Sequence, residues 1–426
     1  MKKIYLFLYL ILISASGFSQ WTRLTSGTNK DLFSVHFPCK STGYAVGGNE
    51  NYYTSGVILK SVDAGQIWSA LPCDTNNFYT SVFFTDSITG FVTGYDYNYS
   101  GIILKTTDGG NTWTTSLSGT TNRLYSVYFI CADTGYVVGA YGAIFKTTNA
   151  GALWTSQASG TLVDLHSVCF VNDNSGIAAG NYIWHPYSST MGTILSTNNS
   201  GNLWTGTAFD YGFNSVHFTN ANTGYAAGFY IFYYGAGRYE SGPVMLKTIN
   251  GGGSWTTQDP GTSTFLSAVY FTDAVNGHSV GDSGTILVTI NGGDHWGRQN
   301  SGTTTDLLSV YFTDDTTGYA AGRNGIILKT INGGGFPVGI DGLQSKSATL
   351  NIYPNPAAAR PVTIETSQEP VNSRLSIMNA NGQQVISLRF TGSKTQFDIA
   401  NLPSGVYFVR LTADNMVLTG KFIKLQ

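Results

Sequence analysis

Apolar and polar residues alternate in short runs along most of the chain, and the runs recur in a fixed order. Each unit opens with a stretch of the form Leu-x-Ser-Val-x-Phe, continues with Gly-Tyr-x-x-Gly, and then reads Gly-x-Ile-Leu-Lys-Thr. Alternation with a period of two predicts β-strands that bury one face. No apolar helical periodicity follows the N-terminal stretch, so the pattern predicts an all-β protein.

A turn motif of the form Ser/Thr-x-Asp/Asn-x-Gly-x-x-Trp separates the third and fourth predicted strands of each unit. The short acid or amide can accept backbone N–H hydrogen bonds, the glycine permits positive φ, and the tryptophan can anchor the next strand. We therefore predict a structural role for this motif, which we call the box. Its acid or amide positions are Asp63, Asp108, Asn149, Asn199, Asn250, Asn291 and Asn332.

The repeat occurs seven times with a spacing of roughly 40–51 residues, which is the range of a four-stranded propeller blade. The seventh box stops before its tryptophan, whereas Trp21–Ser26 resembles a fourth strand that has no box before it. We predict that this N-terminal strand completes the seventh blade. The predicted fold is a seven-bladed β-propeller, residues 20–336, closed by an N-terminal strand.

The first nineteen residues have the pattern of a secretory signal peptide, predicted to span residues 1–19. Lys2 and Lys3 precede an apolar run from Ile4 to Ile13, and a small-residue cleavage site ends at Ser19. The apolar run is about half the ~20 residues that a membrane-spanning helix needs. We expect no membrane-spanning segment once the signal is removed.

Composition excludes some classes of function. The formal net charge is −2 and no basic tract is present, which argues against a nucleic-acid partner. The six histidines show no metal-ligand spacing, so we predict no metal, no cofactor and no catalytic residue. The four cysteines allow three pairings, and the spacing selects none of them.

The tandem boxes and the run from Leu-x-Ser-Val-x-Phe to Gly-Gly-x-x-Trp resemble the seven-bladed propellers of photosystem II assembly factors and their bacterial relatives. The resemblance covers Trp21 to Phe336. The box alone is similar to the Asp-box of sialidases, some endoglucanases and sortilin-type receptors. Because one fold hosts many functions, the resemblance implies an architecture and not a ligand.

The pattern changes after Phe336. A polar linker, residues 337–347, precedes a separate run of predicted strands at residues 348–426. The markers Asn-Ile-Tyr-Pro-Asn-Pro at Asn351–Pro356, Leu-Pro-Ser-Gly-Val-Tyr at Leu402–Tyr407 and the terminal Lys-Phe-Ile-Lys resemble the C-terminal sorting domain of the type IX secretion system of Bacteroidota. This resemblance implies a small immunoglobulin-like β-sandwich and the secretion machinery as a partner. It also implies passage through the periplasm to the medium or the outer cell surface.

The loops between the second and third strands differ in length. Three are tight turns, whereas those of units one, two, four and five are long and rich in aromatic residues. Because strand direction alternates, all of them should project from the face opposite the boxes. Exposed aromatic clusters are typical of binding surfaces, but long loops also pack on each other, and both interpretations stay open. The candidate binding residues are Tyr52, Tyr53, Tyr95, Tyr97, Tyr99, Tyr182, Trp184, Tyr187, Tyr230, Tyr233, Tyr234 and Tyr239.

Asp31, Asp164 and Asp306 occupy matching positions in the linkers on the same face. Carboxylates around a propeller mouth could bind a cation or hydrolyse a glycoside, but a repeated position favours a role in capping the linker. The sequence therefore favours a secreted or cell-surface binding module for a glycan or protein partner, with no catalysis. The alternatives are a surface glycoside hydrolase of the Asp-box propeller type and an assembly scaffold for other exported proteins.

Overall fold

The computed structural model describes residues 20–49, 54–182, 189–235, 238–335, 350–358, 361–366, 373–380, 383–413 and 416–425. The predicted signal peptide and linker lie outside these ranges, so the proposed domain boundaries remain predictions. No helix in the described ranges is long and apolar enough to cross a membrane.

Seven four-stranded antiparallel sheets form the blades, and six of them are built from four consecutive strands as the repeat predicts. Blade 1 contains β2 (Asp31–His36), β3 (Gly43–Asn49), β4 (Thr54–Ser61) and β5 (Ser69–Ala70). Blade 2 contains β6 (Asn77–Phe84), β7 (Gly90–Asp96), β8 (Gly101–Thr106) and β9 (Thr114–Thr120). Blade 3 contains β10 (Leu124–Phe129), β11 (Gly135–Gly139), β12 (Ile144–Thr147) and β13 (Thr155–Gln157). Blade 4 contains β14 (Asp164–Phe170), β15 (Gly176–Tyr182), β16 (Met191–Thr197) and β17 (Thr205–Phe209).

The remaining blades follow the same order. Blade 5 contains β18 (Gly212–Phe218), β19 (Gly224–Gly235), β20 (Arg238–Thr248) and β21 (Thr256–Gln258). Blade 6 contains β22 (Leu266–Phe271), β23 (Gly277–Gly281), β24 (Thr285–Thr289) and β25 (Gly297–Gln299). Blade 7 contains β26 (Leu307–Phe312), β27 (Gly318–Gly322) and β28 (Ile327–Thr330), and its outer strand comes from the other end of the propeller.

That outer strand is β1 (Thr22–Leu24), which pairs antiparallel with β28 so that Thr22 lies opposite Lys329. Trp21, just before it, is 1% exposed, and its indole Nε1 donates a 2.9 Å hydrogen bond to Gln299 Oε1 of blade 6. The predicted closure by an N-terminal strand is therefore confirmed. It gives the last blade a fourth strand, so that β28 is not left as the edge of the sheet.

The propeller core lies between neighbouring blades. Across the junction of blades 7 and 1, the rings of Phe37 and Tyr319 stack with their centres 3.9 Å apart. The glycine that opens the second strand makes room for the aromatic residue that ends the first. A Cβ on Gly43 would lie 2.3 Å from a ring carbon of Phe37. The Gly-Tyr-x-x-Gly stretch is therefore a packing motif.

The boxes are closed hydrogen-bonded turns. In blade 2, Thr106 Oγ1 donates to Asp108 Oδ1 (2.8 Å), and the same carboxylate oxygen accepts the backbone N–H of Thr112 (2.9 Å). The box residue accepts the same backbone bond at Asp63, Asp108, Asn149, Asn199, Asn250 and Asn291. The boxes bond to the loops between first and second strands, as in the 2.8 Å bond from Gly109 N to Ile88 O.

Most boxes also accept hydrogen bonds from the blade before them. Tyr44 Oη and Lys60 Nζ of blade 1 both donate to the carbonyl oxygen of Gly109, at 2.8 and 2.7 Å. Tyr319 and Lys329 of blade 7 donate to Ala64 of blade 1 in the same way. The recurring third-strand lysine is thus an inter-blade contact, and it joins the last blade to the first.

The C-terminal part forms two further sheets. One contains β29 (Leu350–Tyr353), β30 (Val362–Thr366) and β33 (Lys394–Phe397), in that order. The other runs β32 (Gln384–Phe390), β31 (Ser373–Asn379), β34 (Gly405–Ala413), β35 (Met416–Lys424). Their inner faces share one apolar core that includes Leu375, Val409 and Phe422. The sequence did not predict β33, which is short and polar.

Candidate functional site

The innermost strand of every blade carries the same irregularity. In each Leu-x-Ser-Val stretch, the register against the second strand shifts between the first and third residues, as between Leu32 and Ser34. Such a bulge changes the direction in which the side chain of the extra residue points, and bulges are common beside functional sites. The seven bulge residues all line one cavity on the propeller axis: Phe33, Thr80, Tyr125, His166, Asn214, Ser267 and Leu308.

This axial cavity has a volume of about 550 Å³. It is also lined by Tyr95 at the end of β7, by Arg123 in the linker before β10, and by Arg323 in the tight turn of blade 7. These three residues belong to the face that carries the linkers and the long loops. The cavity therefore lies toward that face and away from the boxes.

Aromatic contacts continue along the axis further into the innermost strands. His36 lies 4.8 Å from Phe83 and 5.0 Å from Tyr311, while His217 lies 4.8 Å from Tyr270, all measured between ring centres. These residues occupy the position between Val and Phe of the repeat. Burial lowers the pKa of both His36 and His217 to about 4, so both imidazoles are neutral at pH 7.

One wall of the axial cavity is aromatic. Phe33 lies 4.9 Å from Phe78, and Phe78 stacks on Tyr95 at 5.1 Å. The guanidinium of Arg123 lies over Tyr95 of this wall, 5.6 Å from the ring centre, and over the neighbouring loop residue Tyr99, 4.6 Å from its ring centre. This contact is a cation–π arrangement that fixes the position of the charge.

The two arginines of the cavity differ in their ion pairs. Arg323 contacts Asp31 at 3.2 Å and Asp306 at 3.3 Å. Among the described residues, no carboxylate lies within ion-pair distance of Arg123. Burial opposes the charge of Arg123, but the surrounding groups together outweigh burial and raise the pKa of Arg123; in order of effect they are Tyr125, Tyr95, Asp164 and Tyr99. Arg123 is therefore a fixed cation at the cavity, and its hydrogen-bond donors have no partner among the described residues.

Tyr125 and His166 form the wall beside Arg123, with stacked rings 4.8 Å apart. Tyr125 Oη lies 3.4 Å from Asp164 Oδ2, to which it can donate. Burial raises the pKa of Tyr125 and lowers that of His166, so both side chains are neutral at pH 7. This part of the wall offers flat rings and polar edges without net charge.

The three linker carboxylates hold the tight turns. Asp31, Asp164 and Asp306 each accept a 2.8 Å hydrogen bond at Oδ1, from the backbone N–H of Asn324, Tyr141 and Ser283, respectively. The three donors have positive φ, between 53° and 54°. Each carboxylate thus fixes a strained turn of the neighbouring blade. This geometry is the capping arrangement that a repeated position favours.

The loop aromatics divide into four groups. The expectation that all of them project from the surface is wrong for Tyr95, which is 4% exposed because it stacks on Phe78 within the sheet. Exposed side chains are Tyr97, Tyr99, Tyr234 and Tyr239. Half-buried side chains are Tyr182, Tyr230 and Tyr233. Residues outside the described ranges are Tyr52, Tyr53, Trp184 and Tyr187.

The long loop of blade 5 is a protruding β-hairpin made by β19 and β20. It packs on the loop of blade 4, because Thr190 N donates to Ile231 O (2.8 Å) and Tyr233 N donates to Ser189 Oγ (3.2 Å). Tyr234 Oη also donates to Glu240 (3.1 Å). Packing between loops therefore accounts for part of this aromatic set.

Sequence reasoning did not identify the bulge residues or the pairing of Arg123 with tyrosine rings. One signal for the bulge residues was available. Within the repeated Leu-x-Ser-Val stretch, the first and last positions keep one residue type in most units, while the second differs in every unit.

Among the described residues, no group of three or more His, Cys, Asp or Glu side chains is arranged to hold a metal ion.

Known structures share this architecture. A structure of YCF48 bound to a D1 peptide is 16% identical, with a TM-score of 0.56, over 74% of this chain and 97% of that one. YCF48 from Cyanidioschyzon merolae is 20% identical, with a TM-score of 0.54, over 73% and 98%. An ancestral GH74 enzyme is 13% identical, with a TM-score of 0.52, over 94% and 63%. At these identities the likeness shows the fold alone.

Family comparisons cover both parts of the chain, although no curated protein sequence matches it. Residues 351–425 match the secretion system C-terminal sorting domain, which indicates export to the cell surface or secretion. Residues 13–205 and 246–338 match the photosynthesis system II assembly factor YCF48 family. The unmatched stretch between them contains most of the protruding hairpin of blade 5. The chain belongs to the YCF48 family of propellers and carries a secretion sorting domain at its C-terminus.

Proposed function

We propose that this protein is an exported, non-catalytic binding module that holds an extended protein segment in the axial cavity. Export through the periplasm by the type IX system then places the cavity outside the cell. The seven bulge residues carry this proposal. A position with a purely structural role in a seven-fold repeat needs one residue type, as the flanking leucine and valine positions show. Seven different side chains around one cavity instead suit a ligand without seven-fold symmetry.

The charge at the cavity favours a ligand with an acidic group. Arg123 offers a guanidinium that is held on tyrosine rings and has no carboxylate partner among the described residues. A carboxylate is the natural partner for a planar guanidinium. A neutral glycan would use the aromatic wall but would leave this guanidinium, which has Asp164 nearby, without a directly bonded carboxylate in a partly buried site. A peptide with an acidic side chain or a free C-terminus satisfies both features.

The similarity to YCF48 propellers is consistent with a peptide ligand. The related propeller YCF48 has been solved with a D1 peptide bound. At 16% identity this fact cannot transfer a ligand, but it shows that a propeller of this fold can bind a peptide. A role as a scaffold for other exported proteins is a form of the same activity, because it needs the same recognition of a protein segment.

One observation favours the glycoside hydrolase as a second candidate. Burial, and then the charge of Asp306, raise the pKa of Asp282 in the tight turn of blade 6. A carboxyl with a raised pKa near a second carboxylate is the arrangement that an acid catalyst uses. Against it, both oxygens of Asp306 are engaged, by Ser283 N and by Arg323. We therefore rank hydrolysis second.

The test compares three assays on the purified chain: selection from a displayed random peptide library, a glycan array, and a hydrolysis screen on polysaccharides. We expect enrichment of peptides with an acidic residue. Arg123→Ala should weaken their binding roughly tenfold to a hundredfold, because a charge-assisted hydrogen bond contributes about 1.5–3 kcal/mol. Arg298→Ala, which removes an exposed arginine from β25, is the matched control and should bind as the wild type does.

Two results would overturn the proposal. Binding to a neutral glycan that survives Arg123→Ala, without any enriched peptide, would assign the cavity to carbohydrate. Hydrolysis that is abolished by Asp282→Asn or Asp306→Asn would make the protein an enzyme.

A further inference from the structure

A layer of hydroxyl groups lies below the bulge residues of the axial cavity. The third residue of the Leu-x-Ser-Val stretch is serine in six blades and alanine in blade 6. All seven of these residues line the cavity: Ser34, Ser81, Ser126, Ser167, Ser215, Ala268 and Ser309. We call them the serine layer. Because each first strand runs away from the face that carries the linkers, the serine layer lies deeper than the bulge residues.

The hydroxyls of the serine layer link neighbouring blades. The backbone N–H of the next blade's valine donates to the serine Oγ, as from Val82 to Ser34 at 3.2 Å and from Val127 to Ser81 at 3.3 Å. The same bond is made to Ser167, Ser215 and Ser309. Within the described part of the chain, none of these five hydroxyls has an acceptor for its own proton. Each one can therefore donate to a ligand in the cavity.

A second layer of side chains closes the axis below the serine layer. Its members follow the serine by two positions on the same strand, so they point toward the axis as the serines do. Five successive pairs of their rings have centres 4.8–5.4 Å apart: Tyr270–Tyr311, Tyr311–His36, His36–Phe83, Phe83–Tyr128 and His217–Tyr270. Cys169, which packs against Tyr128, completes this layer. None of these residues lines the cavity, so the cavity ends at the serine layer and is closed at its inner end.

The side chains that line this closed cavity favour a ligand that accepts hydrogen bonds. No Asp or Glu is among the lining residues, whereas Arg123, Arg323 and the six serines are. A carboxylate accepts several hydrogen bonds and donates none, so it suits a site built mainly of donors. An ammonium or a primary amide would bring further donors that such a site does not pair.

We infer that the bound segment enters the axial cavity by one end, and that its leading group is a carboxylate to which the serine layer donates hydrogen bonds. The inference rests on the proposed peptide ligand, and it adds the direction of entry and the group that is recognised. A cavity with a closed inner end cannot hold a segment that continues past the recognised group. The carboxylate belongs either to the chain terminus or to the side chain of the last residue, and the experiment separates these two sources.

The probe is the acidic peptide that the full chain selects from a library displayed with a free C-terminus. Four synthetic forms carry Glu or Gln as the last residue, each with a free or an amidated terminus. A fifth form continues for several residues beyond the Glu. We expect the amidated Gln form and the extended form to bind at least roughly tenfold more weakly than the free Glu form, because each lacks a leading carboxylate. The two forms with a single carboxylate show which source is recognised.

Three variants test the serine layer itself. Ser81→Ala removes one hydroxyl, and Ala268 shows that a blade accepts alanine at this position. It should weaken binding of the free Glu form roughly tenfold, whereas Ala268→Ser adds a hydroxyl and should tighten binding. Ser116→Ala is the matched control. Ser116 Oγ also joins blades 2 and 3, because it accepts a 3.0 Å hydrogen bond from Trp154 Nε1, but Ser116 does not line the cavity.

The results distinguish this inference from the proposed function. If Arg123→Ala weakens binding while the five peptide forms bind equally, or while Ser81→Ala binds as the wild type does, the peptide site stands and end-on entry is overturned. Equal losses in Ser81→Ala and Ser116→Ala would also overturn the inference, because they would reflect a loosened blade junction. If no acidic peptide is selected, or if its binding survives Arg123→Ala, the proposed function fails and the inference fails with it.

Discussion

The guanidinium of Arg123 lies 4.6 Å from the ring centre of Tyr99, at the mouth of a cavity lined by all seven blades. Tyr99 belongs to the loop of blade 2, whereas Arg123 belongs to the linker that leads into blade 3. The contact fixes a charge before any ligand arrives. Preorganisation of this kind lowers the conformational-entropy cost of binding.

We predict that Tyr99→Asn weakens binding of a library-selected acidic peptide, though less than Arg123→Ala does. The variant leaves the charge but removes the ring that holds it. Asparagine suits this position because Tyr99 has a φ of 64°, a region that asparagine tolerates. Titration calorimetry measures the affinity. Tyr97→Asn is the control, since Tyr97 is 66% exposed and does not line the cavity, and an equal loss in that variant would contradict the role of the ring.

The closure of the ring gives a second prediction. Trp21→Ala should destabilise the chain by about 3–5 kcal/mol, the usual cost of truncating a buried large aromatic. It also leaves Gln299 Oε1 without its indole donor. Deletion of Trp21–Ser26 should lower the melting temperature further, because the last blade then loses its outer strand. Thr22→Ala removes only an exposed side chain and should change little. An unaltered melting temperature after the deletion would refute closure by this strand.

Buried histidines predict a loss of stability in mild acid. Burial lowers the pKa of His36 and His217 to about 4 and that of His278 to about 3, from an ordinary value of 6.5. Below pH 6.5 the unfolded chain takes up protons that the folded chain does not. The stabilising contribution of the neutral imidazoles is therefore complete above pH 6.5 and is lost as the pH falls toward 4. The melting temperature should fall across this window.

A single substitution tests the origin of that loss. His36→Phe should make the melting temperature less dependent on pH between 6.5 and 4, because Phe83 occupies the same repeat position in blade 2. His295→Asn, at an exposed position in the sixth box, should leave the slope unchanged. Hydrogen bonds from Thr112 hold the pKa of Asp108 at about 2. Protonation of Asp108 therefore lowers the free energy of unfolding only below pH 4. An unchanged slope in His36→Phe would show that other groups cause the loss.

Capping by the linker carboxylates gives a fourth prediction. Asp164→Ala removes the acceptor of the Tyr141 N–H and should cost about 0.5–1.5 kcal/mol. Asp164→Asn keeps an oxygen acceptor and should cost less. Asp173→Ala, at an exposed position in the same blade, is the control. Denaturant titration measures all three. If Asp164→Asn were as damaging as Asp164→Ala, the charge of the carboxylate would matter more than the cap.

Much of the propeller could be predicted because its determinants are local and repeated. The box marks each turn between third and fourth strands, and the missing tryptophan of the seventh box indicated where the last strand had to come from. In contrast, β33 escaped prediction because Lys394–Phe397 is short and lacks an alternating apolar pattern. The sheet order of the C-terminal part likewise depends on contacts that are distant in sequence.

The candidate site was only partly predictable. The unequal loop lengths indicated the face on which the candidate site lies. They did not indicate that its cavity lies on the propeller axis. Tyr95 illustrates the difficulty. Its sequence neighbours have the composition of a loop, but the residue lies at the end of a strand and stacks on Phe78. The bulge that turns Thr80 or Asn214 toward the cavity is a property of strand register, which composition does not report. The position of Arg123 over Tyr99 depends on two loops from different blades.

The most direct test of the account is photo-crosslinking from inside the axial cavity. A photoreactive amino acid replaces Ser267, the smallest bulge residue, in the chain exported by a bacterium that has a type IX secretion system. A matched chain carries it at Ser254, which is exposed in the fifth box on the opposite face. We predict an adduct at position 267 that mass spectrometry identifies as a polypeptide with an acidic residue, and none at position 254. A carbohydrate adduct, or equal labelling at the two positions, would contradict a peptide-binding cavity.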